Sequence, residues 1–322
     1  MKTGLRFWPL MIAALTPAVH DARASCGSAF CMVNTNWNLQ GIAVEPGLRV
    51  DLRYEYINQD QPMAGSDKVA VGQIPHHHDE VKTLNRNYLA NLDYTINDNW
   101  GVSATVPYSD RFHDHIHNQD GTQLPEQWDF ARLGDIRVVG RYQLRSEDAN
   151  AHQLNYYGVN FGVKLPTGDR DVKNADGDLA ERTLQPGTGT TDLLLGAFYS
   201  RLLGESNASW FVQGLWQAPL NSKEDYRPGQ RVSFDVGYRY EATDKLGLML
   251  QLNALYRGRD SGAQAEPDDT GGKFLFLSPG VSYAVAGNVQ IYGFVQKPIY
   301  QYVNGVQLTA DWSAVVGVSG RF

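Results

Sequence analysis

The chain has 322 residues and is acidic, with 28 Lys and Arg against 35 Asp and Glu and a formal charge of −7. That balance argues against nucleic acid as a partner, and no run beyond the N-terminus approaches the ~20 apolar residues that a membrane helix needs. A negative mean hydropathy with 32 Gly and 17 Tyr still suits a transmembrane β-barrel, whose strands alternate lipid-facing and lumen-facing residues and so average polar.

Residues 1–24 read as a signal peptide. Lys2 and Arg6 precede an apolar stretch, Phe7 to Leu15, and Ala22-Arg23-Ala24 forms a small-residue cleavage site before Ser25. A lipidated Cys26 would need a Leu-Ala-Gly-like run, which Arg23-Ala24-Ser25 does not supply. Cys26 and Cys31 lie close together in an exported chain, so one small-loop disulfide is expected. Their spacing lacks the C-x-x-C-H pattern of haem attachment. Residues 25–46 form an N-terminal segment, either a periplasmic tail or a plug of the lumen. Trp37 and the alternation of Asn34, Asn36 and Asn38 mark it as ordered.

From residue 47 to residue 322 the chain reads as the barrel. Leu48, Val50, Leu52, Tyr54 and Tyr56 alternate with Arg49, Asp51, Arg53 and Glu55, which gives a strand one apolar and one polar face. The same parity starts again near residues 88, 100, 135, 157, 191, 208, 231, 246, 273, 289 and 306. These runs predict an all-β, closed antiparallel barrel of about 12 strands. The weakest are the two near 273 and 289, which carry aromatics on both faces. Connections around 97–99, 204–207, 242–245 and 286–288 are short. Those at 58–83, 109–133, 167–190, 219–230 and 258–272 are long and polar, the asymmetry of periplasmic turns and outer loops.

Two histidine groups fall in the long connections: His76, His77 and His78 with Asp79 and Glu80, and His113, His115 and His117. Extended backbone aligns residues two apart, so the second group shares the lumen side. A hairpin centred near Asp98 sets Asp79 opposite His117 and Glu80 opposite Ile116. Imidazoles and carboxylates meeting there would suit a divalent metal, Zn or Cu; no cofactor beyond that is indicated. Solvated loops that happen to carry histidine are the plainer reading. The acidic stretch 169–178 fails as an EF-hand loop, with Val172 and Thr183 at ligand positions. No nucleophile motif is present, and no enzymatic activity is expected.

Three central segments are more specific than the alternation: LGDIRVVGRYQL from Leu133, GVKLPTG from Gly162, and LQPGTGTTDLLLG from Leu184. Together they resemble the outer-membrane barrels of the family named for the MetA pathway of phenol degradation. The resemblance implies passage of small, often aromatic or apolar, compounds across the outer membrane. Read as residues, Pro166, Gly168, Pro186 and Gly187 are turn devices at a barrel rim.

The chain ends in a run from Val306 to Phe322, apolar at even positions and closing on an aromatic. Such an end resembles the assembly signal of bacterial outer-membrane barrels, with Phe322 as its recognition residue. Predicted lumen charges are Arg49, Arg53, Arg137, Arg141, Lys164 and Arg239 with Asp93, Asp135, Asp235 and Asp311, read as structural latches. The expected partners are outer-membrane lipid, the barrel-assembly machinery and a small-molecule solute. The sequence thus points to a conduit for small compounds, with a non-conducting barrel that binds metal or a partner through its histidine-rich loops as the alternative.

Overall fold

The computed structural model describes residues 32–40, 46–75, 78–119, 121–148 and 153–322. The predicted signal peptide, Cys26 and Cys31, and His76 and His77 lie outside the described residues. Fifteen strands follow in order: β1 (Gly47–Gln59), β2 (Gln61–Gly65), β3 (Asp67–Lys68), β4 (His78–Thr95), β5 (Trp100–Gln119), β6 (Thr122–Leu133), β7 (Arg137–Asp148), β8 (Gln153–Lys164), β9 (Asp192–Leu203), β10 (Ala208–Pro219), β11 (Arg231–Glu241), β12 (Leu246–Arg257), β13 (Gly272–Ala286), β14 (Val289–Thr309) and β15 (Ser313–Arg321).

Twelve of them form one closed antiparallel barrel. Around it run β1, β4, β5, β7, β8, β9, β10, β11, β12, β13, β14 and β15, and β15 returns to β1. Closure leaves no edge strand unpaired, as hydrocarbon demands. The seam is finished by the chain end, where Leu48 and Phe322 exchange backbone hydrogen bonds of 3.0 and 2.8 Å.

The parity is regular. Along β12, Leu248, Leu250, Leu252 and Tyr256 are exposed, while Met249, Gln251, Asn253, Leu255 and Arg257 are buried. Exposed Leu, Val, Ile and aromatic side chains continue around the outside, an area no water-facing sheet would show. Aromatic girdles bound it. Trp100 packs on Tyr142 near the short-turn end, and Tyr54, Tyr88 and Tyr108 pack together near the other. On β5 the spanning part therefore lies between Trp100 and Tyr108, and the chain continues well beyond it.

Two expectations are corrected. Connections 58–83 and 109–133 are not irregular loops: β4, β5 and β6 rise past the outer girdle as a three-stranded extension, with β2 and β3 beside it. The expected last strand is also split, because residues 310–312 turn between β14 and β15. Leu308 is consequently buried, where it lies on β14 opposite Pro62 of β2.

Inside, a Cβ on Gly280 would run into Phe294, and one on Gly317 into Tyr292. Glycine at these two positions lets inward aromatics lie flat against the neighbouring strand. This is why β13 and β14 carry aromatics on both faces.

Leu250 lies mid-strand on the lipid face, so Leu250→Arg should cost about 2–4 kcal/mol, read as a lower denaturant midpoint for the membrane-folded protein. Removing Phe322, whose ring is exposed, should slow assembly without blocking export. The readout is delayed appearance of the heat-modifiable folded band.

Candidate functional site

The lumen is occupied at its short-turn end by residues 32–40. Trp37 is 1% exposed; its indole N–H donates to Asp51 at 3.0 Å, and its ring meets Tyr292 edge-on at 4.7 Å. The Tyr292 hydroxyl donates to the other oxygen of Asp51 at 2.9 Å. Arg239 lies over the same indole. Asn34 joins Gln251, Gln213 and Asp235, and Asn38 donates to Asp93. Leu39 packs with Phe198 and Phe211. A segment bound through this many buried polar contacts is ordered by them, since each unmade bond would cost about 1–3 kcal/mol.

Beyond that segment the lumen widens into a cavity of about 220 Å³. Seven cationic side chains line it (Arg53, Arg111, Arg137, Lys164, Arg182, Arg231 and Arg257) against three carboxylates, Glu55, Asp135 and Asp192. Most are neutralised locally. Arg53 pairs with Glu55 at 3.0 Å, Lys164 with Asp135 at 2.7 Å and Asp192 at 3.3 Å, and Arg257 with Asp260 at 2.8 Å. Arg182 reaches Glu224 at 3.0 Å, and Arg111 donates to Asn85 and to the Leu184 carbonyl. Arg137 and Arg231 have no hydrogen-bond or ion-pair partner among the described residues, and both face the cavity.

Several of the predicted lumen charges make contacts within the barrel wall. Arg141 pairs with Asp93 at 3.2 Å, Asp235 accepts from Asn253 at 2.8 Å, and Arg49 reaches Ser319. Asp311 is different: it lies on the outer β14–β15 turn, exposed, and pairs with Lys68 at 2.6 Å. The broken strand puts it there. Arg231 was missed, although it opens β11 with the same parity as Asp235 and Arg239.

The three central segments meet at the outer rim. Asp135 accepts from the backbone N–H groups of Gly168 and Thr188, both at 3.0 Å, and Lys164 binds Asp135, Thr188 and the Thr190 carbonyl. Their turns are thus tied to one another through a buried ion pair. Farther out, Glu224 holds Arg182 and Arg170, and the Arg182 hydrogen bond, with Arg170 adding to it, keeps the Glu224 carboxyl below its ordinary value.

The outer extension carries the histidines. His113 and His115 are wholly buried beside Glu80, and one ligand atom from each of the three lies within 4.8 Å of the others. His113 Nε2 is 3.1 Å from His115 Nδ1 and 3.7 Å from Glu80 Oε2. Each ring's other nitrogen meets an oxygen: His113 Nδ1 meets Thr83 Oγ1 at 2.9 Å, and His115 Nε2 meets Glu126 at 3.0 Å. Burial holds His113, five residues past the outer girdle, well below the ordinary imidazole pKa, and the charges of His115 and Arg111 act in the same direction. His78 and His117 form a second pair at 2.6 Å. Trp128 covers His115 at 5.0 Å and is itself capped by Val172, Ala180 and Leu184 of loop 165–191.

The register differs by one from the expected hairpin. A bulge at Val81 places Glu80 opposite His115 and Asp79 opposite Ile116, so Glu80 turns inward while Asp79 turns away to Asn118. Thr83, Glu126 and Trp128 carry no sequence signal, because the polar stretches 58–83 and 109–133 read as loops.

A closed barrel with a girdled apolar exterior and a polar interior is an outer-membrane β-barrel. The profile of the family described as "Putative MetA-pathway of phenol degradation" matches residues 60–310, and the chain belongs to that family. Its structure is similar to the crystal structure of an outer membrane channel from Pseudomonas putida F1, at 15% identity over 90% of this chain and 100% of that one, with a TM-score of 0.65. The CymD monoaromatic hydrocarbon channel aligns at 9% identity over 86% of this chain and 89% of that one, with a TM-score of 0.42. The translocator domain of autotransporter NalP from Neisseria meningitidis aligns at 12% identity over 88% and 91%, with a TM-score of 0.43. Scores as low as the last two carry no functional meaning. A search of curated proteins finds no match.

Trp37→Ala should release residues 32–40 from the lumen. Limited proteolysis of the folded variant should cleave this segment, which stays protected in the wild type, while heat-modifiable mobility is kept.

Proposed function

We propose that the barrel is a conduit for small organic solutes across the outer membrane, and that it favours compounds bearing an acidic group over neutral hydrocarbons. The observation that carries this is the 220 Å³ cavity, lined by Arg137 and Arg231, neither of which is in direct ion-pair contact with a carboxylate among the described residues. Two guanidiniums in a confined lumen raise the local concentration of anions, and a planar guanidinium matches a carboxylate in bidentate fashion. An aromatic acid or phenolate combines this charge with the aromatic character that the family's description suggests. Residues 32–40 then narrow the path at the periplasmic side, since they are bound inside the lumen to Asp51 of β1 and Gln251 of β12.

Single-channel recording in planar bilayers under a salt gradient tests the reading. The full-length protein should show anion preference in its reversal potential, and Arg137→Gln with Arg231→Gln should move that potential toward zero or cation preference. Deleting residues 25–46 should raise conductance. A reversal potential unmoved by the double variant overturns the anion assignment. Silence from both the full-length and the deleted protein would favour the non-conducting alternative.

A further inference from the structure

We propose that Glu80, His113 and His115 form a zinc-class divalent metal site above the membrane, and that the bound ion staples β4 to the β5–β6 hairpin. This stands apart from the conduit reading, because the site lies outside the spanning band and does not line the 220 Å³ cavity.

The geometry has three parts. First, the inner atoms already have ligand spacing. Zn–N bonds of about 2.0–2.1 Å at tetrahedral angles hold neighbouring ligand atoms about 3.3 Å apart. The observed separations of 3.1 and 3.7 Å from His113 Nε2 bracket that value. Second, the outer atoms are committed. Metal-bound imidazoles characteristically donate their second N–H to a carboxylate or another oxygen, which fixes ring orientation. Glu126 does this for His115 and Thr83 for His113, and so both rings point their remaining nitrogens at one place. Third, the donor set is built from two different strands. Glu80 reaches the pair only because the Val81 bulge reverses the inward parity of β4. Without the bulge Asp79 would face inward instead.

Burial adds a chemical constraint. Glu80 is 2% exposed and its side chain is fully covered, and both imidazoles are buried beside it. Imidazole with carboxylate is a donor set for Zn²⁺. A solvent molecule would complete the tetrahedron. The plainer arrangement is a hydrogen-bonded His113–His115 pair that binds no metal.

Untagged full-length protein, folded in detergent and stripped with chelator, should be titrated calorimetrically with ZnCl₂. One saturable site per barrel is expected. Glu126→Gln or Thr83→Val should weaken it about 10–100-fold, as loss of a ligand's outer hydrogen bond does elsewhere, and His113→Ala with His115→Ala should abolish it. Heat-modifiable mobility checks that each variant folds. X-ray absorption at the zinc edge on the loaded wild type needs no variant and should show two imidazoles in a nitrogen and oxygen shell. No saturable binding by the folded wild type, an unchanged affinity in the double alanine variant, or a shell without imidazole would each overturn the site.

Discussion

Everything in this structure follows from closing the backbone ladder. In hydrocarbon an unpaired N–H or C=O has no water to turn to, so the sheet must return to its first strand. Here the return is made by β15 on β1, and the chain's last residue pairs with Leu48. Once the ladder is closed, alternation divides every strand between lipid and lumen. A one-residue slip would exchange Leu250 for Gln251, and Tyr238 for Arg239, and so the register is strongly enforced.

The same division sends charge inward, and the interior must then satisfy it. Lys164 with Asp135 and Asp192, Arg141 with Asp93, and Arg257 with Asp260 are paired within the wall. Such buried pairs add little net stability but are costly to break. The N-terminal segment completes the accounting near the periplasm: Asp51 accepts from Trp37 and Tyr292, and Asp235 from Asn34 and Asn253. Against this background of satisfied groups, Arg137 and Arg231 stand out. In the proposed conduit these two guanidiniums are the groups turned toward a solute's acidic group.

Period-2 alternation made the barrel legible because lipid punishes every exception on the outer face. Strands such as β11 and β12 obey the rule at each position, and their bounds could be read directly. Where lipid no longer applies, legibility fails. The β5–β6 hairpin faces water and loop 165–191 instead of hydrocarbon, so its polar residues resembled a loop. The weak alternation of β13 and β14 had a different cause: Phe276, Tyr292 and Phe294 are apolar residues on the lumen face, and Tyr292 and Phe294 share a cluster with Val33 and Trp37. Asp311 kept strand parity on paper, but the turn at 310–312 removed it from the barrel. The histidine cluster was visible as spacing, whereas its ligand set depended on one bulged residue that no pattern announces.

That bulge also separates two accounts of the outer extension. A simple lid needs only continuous pairing, and an extra residue at Val81 interrupts the ladder for no gain in pairing. What the interruption accomplishes is to turn Glu80 inward and Asp79 outward, bringing a carboxylate to two imidazoles whose other nitrogens are already held by Thr83 and Glu126. The loop that caps Trp128 over this group is held at its start by Gly168 on Asp135 and at its end by Thr188 and Thr190 on Lys164, and the same stretch supplies Leu184 to Arg111 and Arg182 to the cavity wall. An ion that fixed β4 to the β5–β6 hairpin would therefore also fix the surface on which loop 165–191 rests, and with it the outer mouth of the lumen.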